Sequence, residues 1–544
     1  MDEKKRRSPF DQEELGESPL LYDFDEEWDV EKAMQNGGRL PMKRRAPVQQ
    51  QSQPRERRDE PGRREPQERR RDPRREQPQR RPAQRKKPQH PQQLNKHSLL
   101  LLAGAAVVVL LVLFGIIYGI VALVNKDSSE PTDPSASTTE PVSPDEIKAL
   151  VARADALAAG YDYDGAITVL REYGDGWNLV EELSAANDRY TAAKSQLVKW
   201  EDMTNIPELS FSSLIVDTSR AFDGDEKQDS YNLHYTTVTE FKAILQALYD
   251  KGYVLVKVHD LGTMQLDVSG ETLMKQGEIY LPSGKKPIII AQDDVNYYES
   301  LIDSDGDHVA DAGGDGFASR IVLDANGEPT CEYVDASGQT LTGDYDLVPI
   351  LNSFIAEHPD FSYHGARGVL SVTGYQGVFG YRTHPDYETA LGSDVYQQEI
   401  RSAQQVATAL KAQGWEIASH SFGNINFGNA DLEGLNSDIQ KWANQVQPIV
   451  GETDILLYPS GDIGGVDEYS GEKFDALYSA GFRYFSNTDN SILSWMQYTD
   501  HYIRQSRLAV NGYRLVNGKD VFSALFDAAA VLDPARPTPM PEMN

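Results

Sequence analysis

The longest apolar run in the chain, Leu99–Val124, carries 26 residues without a charge. A helix of that length is about 39 Å long and crosses a hydrocarbon core of about 30 Å with some tilt. The run predicts a transmembrane helix over residues 98–125. It is too long, and too far from the amino terminus, for a secretory signal peptide. A second pattern begins at residue 144. Ile147, Leu150, Val151, Ala154 and Leu157 recur at helical spacing, Ala166, Ile167, Val169 and Leu170 form a second stripe, and Leu179–Trp200 a third. This predicts a small helical stalk over 144–205. From 206 to 544 short apolar runs alternate with amphipathic helices. The strands fall at Phe211–Val216, Tyr253–Val258, Pro287–Ala291, Ala366–Val372, Trp415–Ser419, Ile455–Tyr458 and Tyr484–Phe485. The helices fall at Thr237–Lys251, Leu347–Glu357, Glu399–Gln413, Asp438–Val446 and Lys473–Ala480. Repeated βα units imply a largely parallel sheet or a (β/α) barrel.

Charge sets the orientation. Arg39 to Lys96 holds 20 Lys/Arg against 7 Asp/Glu, whereas the far side of the apolar run opens Lys126-Asp127-Ser128-Ser129-Glu130. An excess of Lys/Arg beside a span marks its cytoplasmic side, so a single-pass cell-membrane protein is expected with residues 1–97 inside and the large domain outside. Gln49 to Gln93 is dominated by Arg, Gln and Pro, too poor in apolar surface to offset chain entropy, and reads as a disordered cytoplasmic tail. Its basic block suits anionic lipid of the bilayer or RNA, and equally a solvated topology signal. Residues 126–143 read as a Ser/Thr/Pro linker. Beyond residue 97 there are 28 Lys/Arg and 65 Asp/Glu, a net charge of −37, which argues against nucleic acid or any other polyanion as a partner of that part. Cys331 is the only cysteine, so no intrachain disulfide exists, and it reads as a small apolar filler.

The candidate chemistry sits at two strand ends. Ala291-Gln292-Asp293-Asp294-Val295 follows one apolar run, and Glu416-Ile417-Ala418-Ser419-His420-Ser421-Phe422-Gly423-Asn424 continues another. Polar residues at strand carboxyl ends lie where α/β folds bind ligands. Two carboxylates and a His-x-x-x-Asn would bring a base and metal-type ligands to one rim. The bland alternative for Asp293-Asp294 is a turn or helix cap. A further acidic stretch presents Asp303, Asp305, Asp307 and Asp311 at alternate positions. That spacing suits calcium, although His308 and Gly314 stand where an EF-hand loop wants Gly and Glu, and a solvated acidic loop is the other reading.

In its order of motifs the stretch 210–515 resembles the polysaccharide deacetylases, carbohydrate esterase family four, with their NodB-type homology domain. Phe241–Leu245 through Gly252–Val256, Leu281–Pro287, the Asp-Asp pair, Gly414–Ser421, Tyr458-Pro459-Ser460-Gly461 and Gly481–Tyr484 carry the resemblance. It implies a distorted (β/α)7-type barrel and metal-dependent removal of N-acetyl groups from an amino-sugar polymer of wall or capsule. It implies Asp293 as base, Arg507 as the arginine that orients it, Asp294, His420 and Asn424 as ligands of a divalent metal, zinc first, and Tyr458, Pro459 and Ser460 at the substrate. The family's late catalytic histidine has no clear counterpart. His501 falls in its region. Three positions depart from the pattern: Val295 replaces a glycine, Asn424 a histidine and Ser460 a tyrosine. Two functions follow, an active cell-surface deacetylase or a catalytically silent glycan-binding or wall-organising relative.

Overall fold

The computed structural model describes residues 143–303, 306, 308–465, 467–489 and 493–542. The expected tail and membrane helix lie outside them, as does the linker apart from Ser143. Among the described residues no helix is long and apolar enough to cross a membrane.

Seven strands form a closed parallel barrel in chain order: β1 (Glu208–Phe211), β2 (Lys286–Gln292), β3 (Val369–Val372), β4 (Glu416–Ser419), β5 (Ile455–Leu457), β6 (Tyr484–Thr488) and β7 (Ile503–Ala509). The ring shuts where Leu209 of β1 pairs with Leu508 of β7. Side chains alternate across the barrel wall. Ile289, Ala291, Val369, Ala418, Ile455, Leu457, Tyr484 and Ile503 share one cluster inside. Leu209, Phe211, Ile288, Ile290, Leu370, Val372, Ile417 and Leu508 share another, packed against the helices.

The crossovers carry the helices that the apolar periodicity predicts, one with the expected bounds, Leu347–Glu357, and the others with shifted ends. To name them, the chain's first three helices are α1 (Pro144–Ala159), α2 (Tyr163–Arg171) and α3 (Glu181–Lys194). The barrel then adds α4 (Val238–Asp250), α5 (Leu347–Glu357), α6 (Ser393–Gln413), α7 (Leu432–Lys441) and α8 (Glu472–Ser479). Helix α4 starts at a capping box, the Thr237 hydroxyl accepting from Glu240 N while the Glu240 carboxylate accepts from Thr237 N. Glu240 is also the anchor of the carboxyl-terminal segment. Arg536 donates from Nε and Nη2 to its two carboxylate oxygens at 2.8 and 2.6 Å, and both residues are buried.

Three features depart from the sequence expectation. The first barrel strand is Glu208–Phe211 rather than Phe211–Val216, because its inward positions, Glu208 and Ser210, are polar. The run at Tyr253 forms a strand, Tyr253–Leu255, that pairs with the first residues of β2, with a single bridge from Leu255 to Ser362, and stays outside the ring. Its place is taken by β7, whose sequence Ile-Arg-Gln-Ser-Arg-Leu-Ala gives no apolar run. Between β2 and α5 the chain inserts a three-stranded antiparallel sheet, Arg320–Leu323, Pro329–Val334 and Thr340–Gly343. Cys331 is buried there, beside Tyr297 Oη at 3.6 Å, and burial pushes its thiol well up.

Helices α1–α3 enclose a small core of Ala154, Ala166, Leu170, Leu183 and Ala186. They lie against the barrel and form one compact unit with it. Tyr161 Oη donates to Asp360 O at 2.7 Å, His364 N donates to Gly160 O at 2.8 Å, and Leu197–Lys199 pairs antiparallel with Tyr280–Pro282.

Candidate active site

The inward-facing positions become polar toward the carboxyl ends of the strands, and the sequence candidates collect there. Asp293 directly follows β2, and its N–H donates to Phe211 O at 2.8 Å, which holds it beside β1. The carboxylate is buried. Arg507, near the end of β7 and 1% exposed, meets it with Nε 3.1 Å from Oδ2. The remaining guanidinium donors are spent on carbonyls, Nη1 on Ser486 O at 2.8 Å and Nη2 on Tyr458 O at 2.9 Å, with Thr488 Oγ1 at 3.3 Å. Three strands thus fix one guanidinium, and the guanidinium fixes one carboxylate. On the other side of Asp293, Ser371 Oγ lies 3.4 Å from Oδ1.

The neighbouring group is Asp294, His420 and Asn424. Asp294 has φ +54°, Ser421 +61° and Asn424 +54°. Non-glycine residues enter this left-handed region at a cost and gather at functional sites. The backbone is braced to hold them. Asn296 donates to Thr373 O at 3.0 Å and also to Gly377 O, and accepts from Thr373 N, so that the loops after β2 and β3 are tied together. Asp438 of α7 accepts from Phe422 N and Gly423 N at 2.9 and 2.8 Å, which fixes the loop after β4. The side chains converge. Tyr298 Oη donates to Asp294 Oδ1 at 2.8 Å, Asn424 Nδ2 lies 3.4 Å from the same oxygen, and His420 Nε2 lies 4.0 Å from Oδ2. Burial raises the Asp294 carboxyl from its usual range, and His420 works in the opposite direction.

His420 is fully buried, yet neither ring nitrogen has a hydrogen-bond partner among the described residues. Buried polar atoms are nearly always satisfied, so an unpaired imidazole facing a carboxylate is a marker of a missing partner. A carboxylate, an imidazole and an amide oxygen, obtained by turning the Asn424 amide over, make a donor set suited to a divalent cation. The residues fit such an ion, with the amide a weaker ligand than a second imidazole.

The other candidates separate. Pro459 is buried beside Tyr458, and Ser460 is half-buried, its carbonyl accepting from Phe427 N at 3.3 Å. The Tyr458 ring is 1% exposed among Phe427, Tyr469 and Phe485, so its contribution to the site is the carbonyl that receives Arg507 and not a ring offered to substrate. His501 precedes β7 and is exposed against Tyr478, at the opposite end of the barrel from Asp293. Strand β7 spans about 20 Å at ~3.3 Å per residue, which removes His501 as the acid. Of the calcium candidates, Asp305 and Asp307 lie outside the described residues. Asp303 turns inward on its own loop, accepting from Gly306 N and His308 N at 2.8 Å, and Asp311 donates its backbone N–H to Ile302 O. The side chains gathered here are instead Glu299, Asp303 and His308, with ligand-type atoms within 4.8 Å of one another. His308 Nδ1 lies 2.8 Å, and Arg382 Nε 3.4 Å, from the same Glu299 oxygen, so the Arg382 guanidinium already stands beside this trio.

Sequence reasoning missed Tyr298, Asn296, Asp438 and Glu208. The first two follow the Asp-Asp pair within four residues, and their proximity is the only signal they carry. Asp438 and Glu208 reach the site through helix α7 and strand β1 with no local signal.

No family model matches the chain, and no curated protein does. Among solved structures, the deacetylase PplD of Streptococcus pyogenes, in complex with acetate, is similar over 58% of this chain and 94% of its own, at 12% identity and a TM-score of 0.29. At that level of likeness neither residues nor activity transfer.

Proposed function

We propose that the chain is a metal-dependent hydrolase that removes N-acetyl groups from an amino-sugar polymer of wall or capsule, carried on the outer face of the cell membrane by the span at 98–125. The observation that carries the reading is the side-by-side arrangement of two acidic groups with different duties: Asp293 held by Arg507, and Asp294 grouped with His420 and Asn424. Amide hydrolysis needs an activated water, a base, and charge stabilisation for the tetrahedral intermediate. A divalent ion held by Asp294, His420 and Asn424 would supply Lewis acidity toward water and carbonyl. Asp293 takes the proton of the attacking water. Arg507 keeps the Asp293 carboxylate turned toward the rim, and its own charge balances the buried anion. The acidic balance of the outer part suits a polymer that is neutral before reaction and cationic after it.

The second reading is a glycan-binding or wall-organising protein on the same barrel that has lost catalysis. Asn424 favours it, because an amide that bonds Asp294 where an imidazole would bind metal weakens the site.

Metal content and acetate release from chitooligosaccharides and peptidoglycan fragments separate the two. The active reading expects zinc bound by the wild type, lost in His420→Ala and tightened in Asn424→His. It expects acetate release falling about 10²–10⁴-fold in Asp293→Asn with the fold intact. Glycan binding without acetate release by the wild type establishes the silent reading, and metal occupancy indifferent to both substitutions removes the site assignment.

A further inference from the structure

Beneath the Asp293–Arg507 pair the barrel holds another carboxyl that the proposed chemistry does not use. Glu208 enters from β1, in register with Ile289 of β2, and is 0% exposed. Its Oε2 accepts from Ser486 Oγ at 2.7 Å and from Gln505 Nε2. Glu208 Oε1 and Gln505 Oε1 both lack a partner among the described residues. Below them lies a small cavity of about 10 Å³, lined by Ser486 and Gln505 and otherwise mostly by apolar side chains such as Val258, Leu261 and Leu457. A carboxylate placed there would face unsatisfied oxygen and hydrocarbon, an expensive position for a charge.

The link to the site is direct. Ser486 donates its hydroxyl to Glu208 and gives its carbonyl to Arg507 Nη1. Gln505 and Arg507 stand two residues apart on β7 and so share its inward face. The charged groups that face Glu208 are Arg507 from β7 and Asp293 from the end of β2. Strand β6 presents Ser486, and β5 presents only Leu457 and Ile455. One guanidinium therefore stands between two carboxyl groups.

We propose that Glu208 is a positioning residue for the Asp293–Arg507 pair: uncharged, it braces the guanidinium through Ser486 and Gln505 and leaves its charge to Asp293, and ionised, it competes with Asp293 for that charge. The functional side rests on the reading of Asp293 as the base. The coupling itself rests only on the barrel interior. Burial pushes the Glu208 carboxyl up to about 7, against the pull of Arg507 and the two hydrogen bonds. The switch between its two states therefore falls at neutral pH.

The coupling is read without activity from the Nε–H resonance of Arg507 in the 15N-labelled protein, identified by its loss in Arg507→Lys. In the wild type it should shift with a midpoint near 7. In Glu208→Gln, which keeps shape and loses the charge, that transition should disappear. Ser486→Ala guards against misfolding of Glu208→Gln: with one stabilising hydrogen bond gone, the midpoint should move upward. A resonance that does not titrate in the wild type, or titrates alike in Glu208→Gln, overturns the proposal. Acetate release gives the second readout. The wild type should lose activity as pH rises through 7, and Glu208→Gln should hold its activity to higher pH. An identical alkaline decline in both proteins overturns the proposal too. A wild type that releases no acetate defeats the hydrolase reading, and the resonance then decides the coupling on its own.

Discussion

Removing either member of the Asp293–Arg507 pair strands the other in a place from which water is excluded. The two are 4% and 1% exposed and 3.1 Å apart. At an effective dielectric of about 20 two charges at that distance attract by about 5 kcal/mol. Breaking a buried pair by deleting one partner costs about 3–5 kcal/mol, most of it the unpaired charge that remains. The two deletions are not equivalent. Asp293→Ala leaves a guanidinium that still has Ser486 O, Tyr458 O and Thr488 Oγ1 as acceptors. Arg507→Ala leaves a carboxylate with only Ser371 Oγ as a side-chain donor among the described residues, and also takes a donor from the buried Tyr458 carbonyl, worth about 1–3 kcal/mol, while Ser486 O keeps the Tyr458 N–H at 3.0 Å. Arg507→Ala should therefore destabilise more than Asp293→Ala. The double variant should cost less than the sum by at least about 2 kcal/mol, since the second deletion removes the charge that the first stranded. Urea denaturation of residues 142–544, with far-ultraviolet dichroism and tryptophan fluorescence as coincident probes, measures all three. Additivity within about 0.5 kcal/mol, or single costs below about 1 kcal/mol, would refute the account of Arg507 as the charge that holds Asp293.

At the opposite end of the barrel His259 lies between Glu416 Oε1 at 2.5 Å and Asp454 Oδ1 at 3.0 Å. Burial alone would lower its pKa, but the two carboxylates outweigh it and raise the imidazole to about 10. A raised histidine stabilises fully below its unfolded value of about 6.5, and the contribution fades as pH climbs through 10, so His259→Gln should lower the thermal midpoint at pH 6 and have little effect at pH 10.5. Arg536→Ala should cost about 3–5 kcal/mol in the same urea titration by leaving Glu240 buried without its cation; a cost near zero would mean that the carboxyl-terminal segment is not an anchor. Protease added to intact cells should digest the chain beyond the linker, and a protected large domain would reverse the orientation inferred from the charge flanking 99–124.

The outer layer of the fold was legible from sequence because it is written in apolar periodicity. Helices α4 and α5 and strands β2 to β5 show runs that only burial explains. The inner layer was not. Its upper tiers are Glu208, Ser210, Ser371, Ser486, Gln505 and Arg507, residues that single-sequence reasoning assigns to loops and surfaces. Strand β7 escaped for that reason, and β1 slid by three residues. Asn326-Gly327 and Ser337-Gly338 did carry turn signals for the inserted antiparallel sheet, and went unused. The candidate site divides in the same way. Asp293, Asp294, His420, Asn424 and Arg507 stand out by motif order and meet at one rim. The buried ring of Tyr458 and the remoteness of His501 depend on which face, and which end, of a strand each occupies. Apolar pattern cannot give either where the neighbouring positions are polar.

Closure of the ring by Leu209 and Leu508 sets the timing of folding. Until β7 has been made, β1 and β6 both present bare parallel edges, and Arg507 has no strand to carry it to Asp293. In a chain emerging from its amino terminus the β1 edge thus stays unpaired for the time needed to synthesise about 300 residues, and at ~5–20 residues per second that is at least about fifteen seconds. Parallel pairing across such a separation is slow to form and open to wrong partners meanwhile. The polar residues that make the site also make the last strand a poor template for aggregation, so the segment that completes the chemistry is also the one best suited to wait.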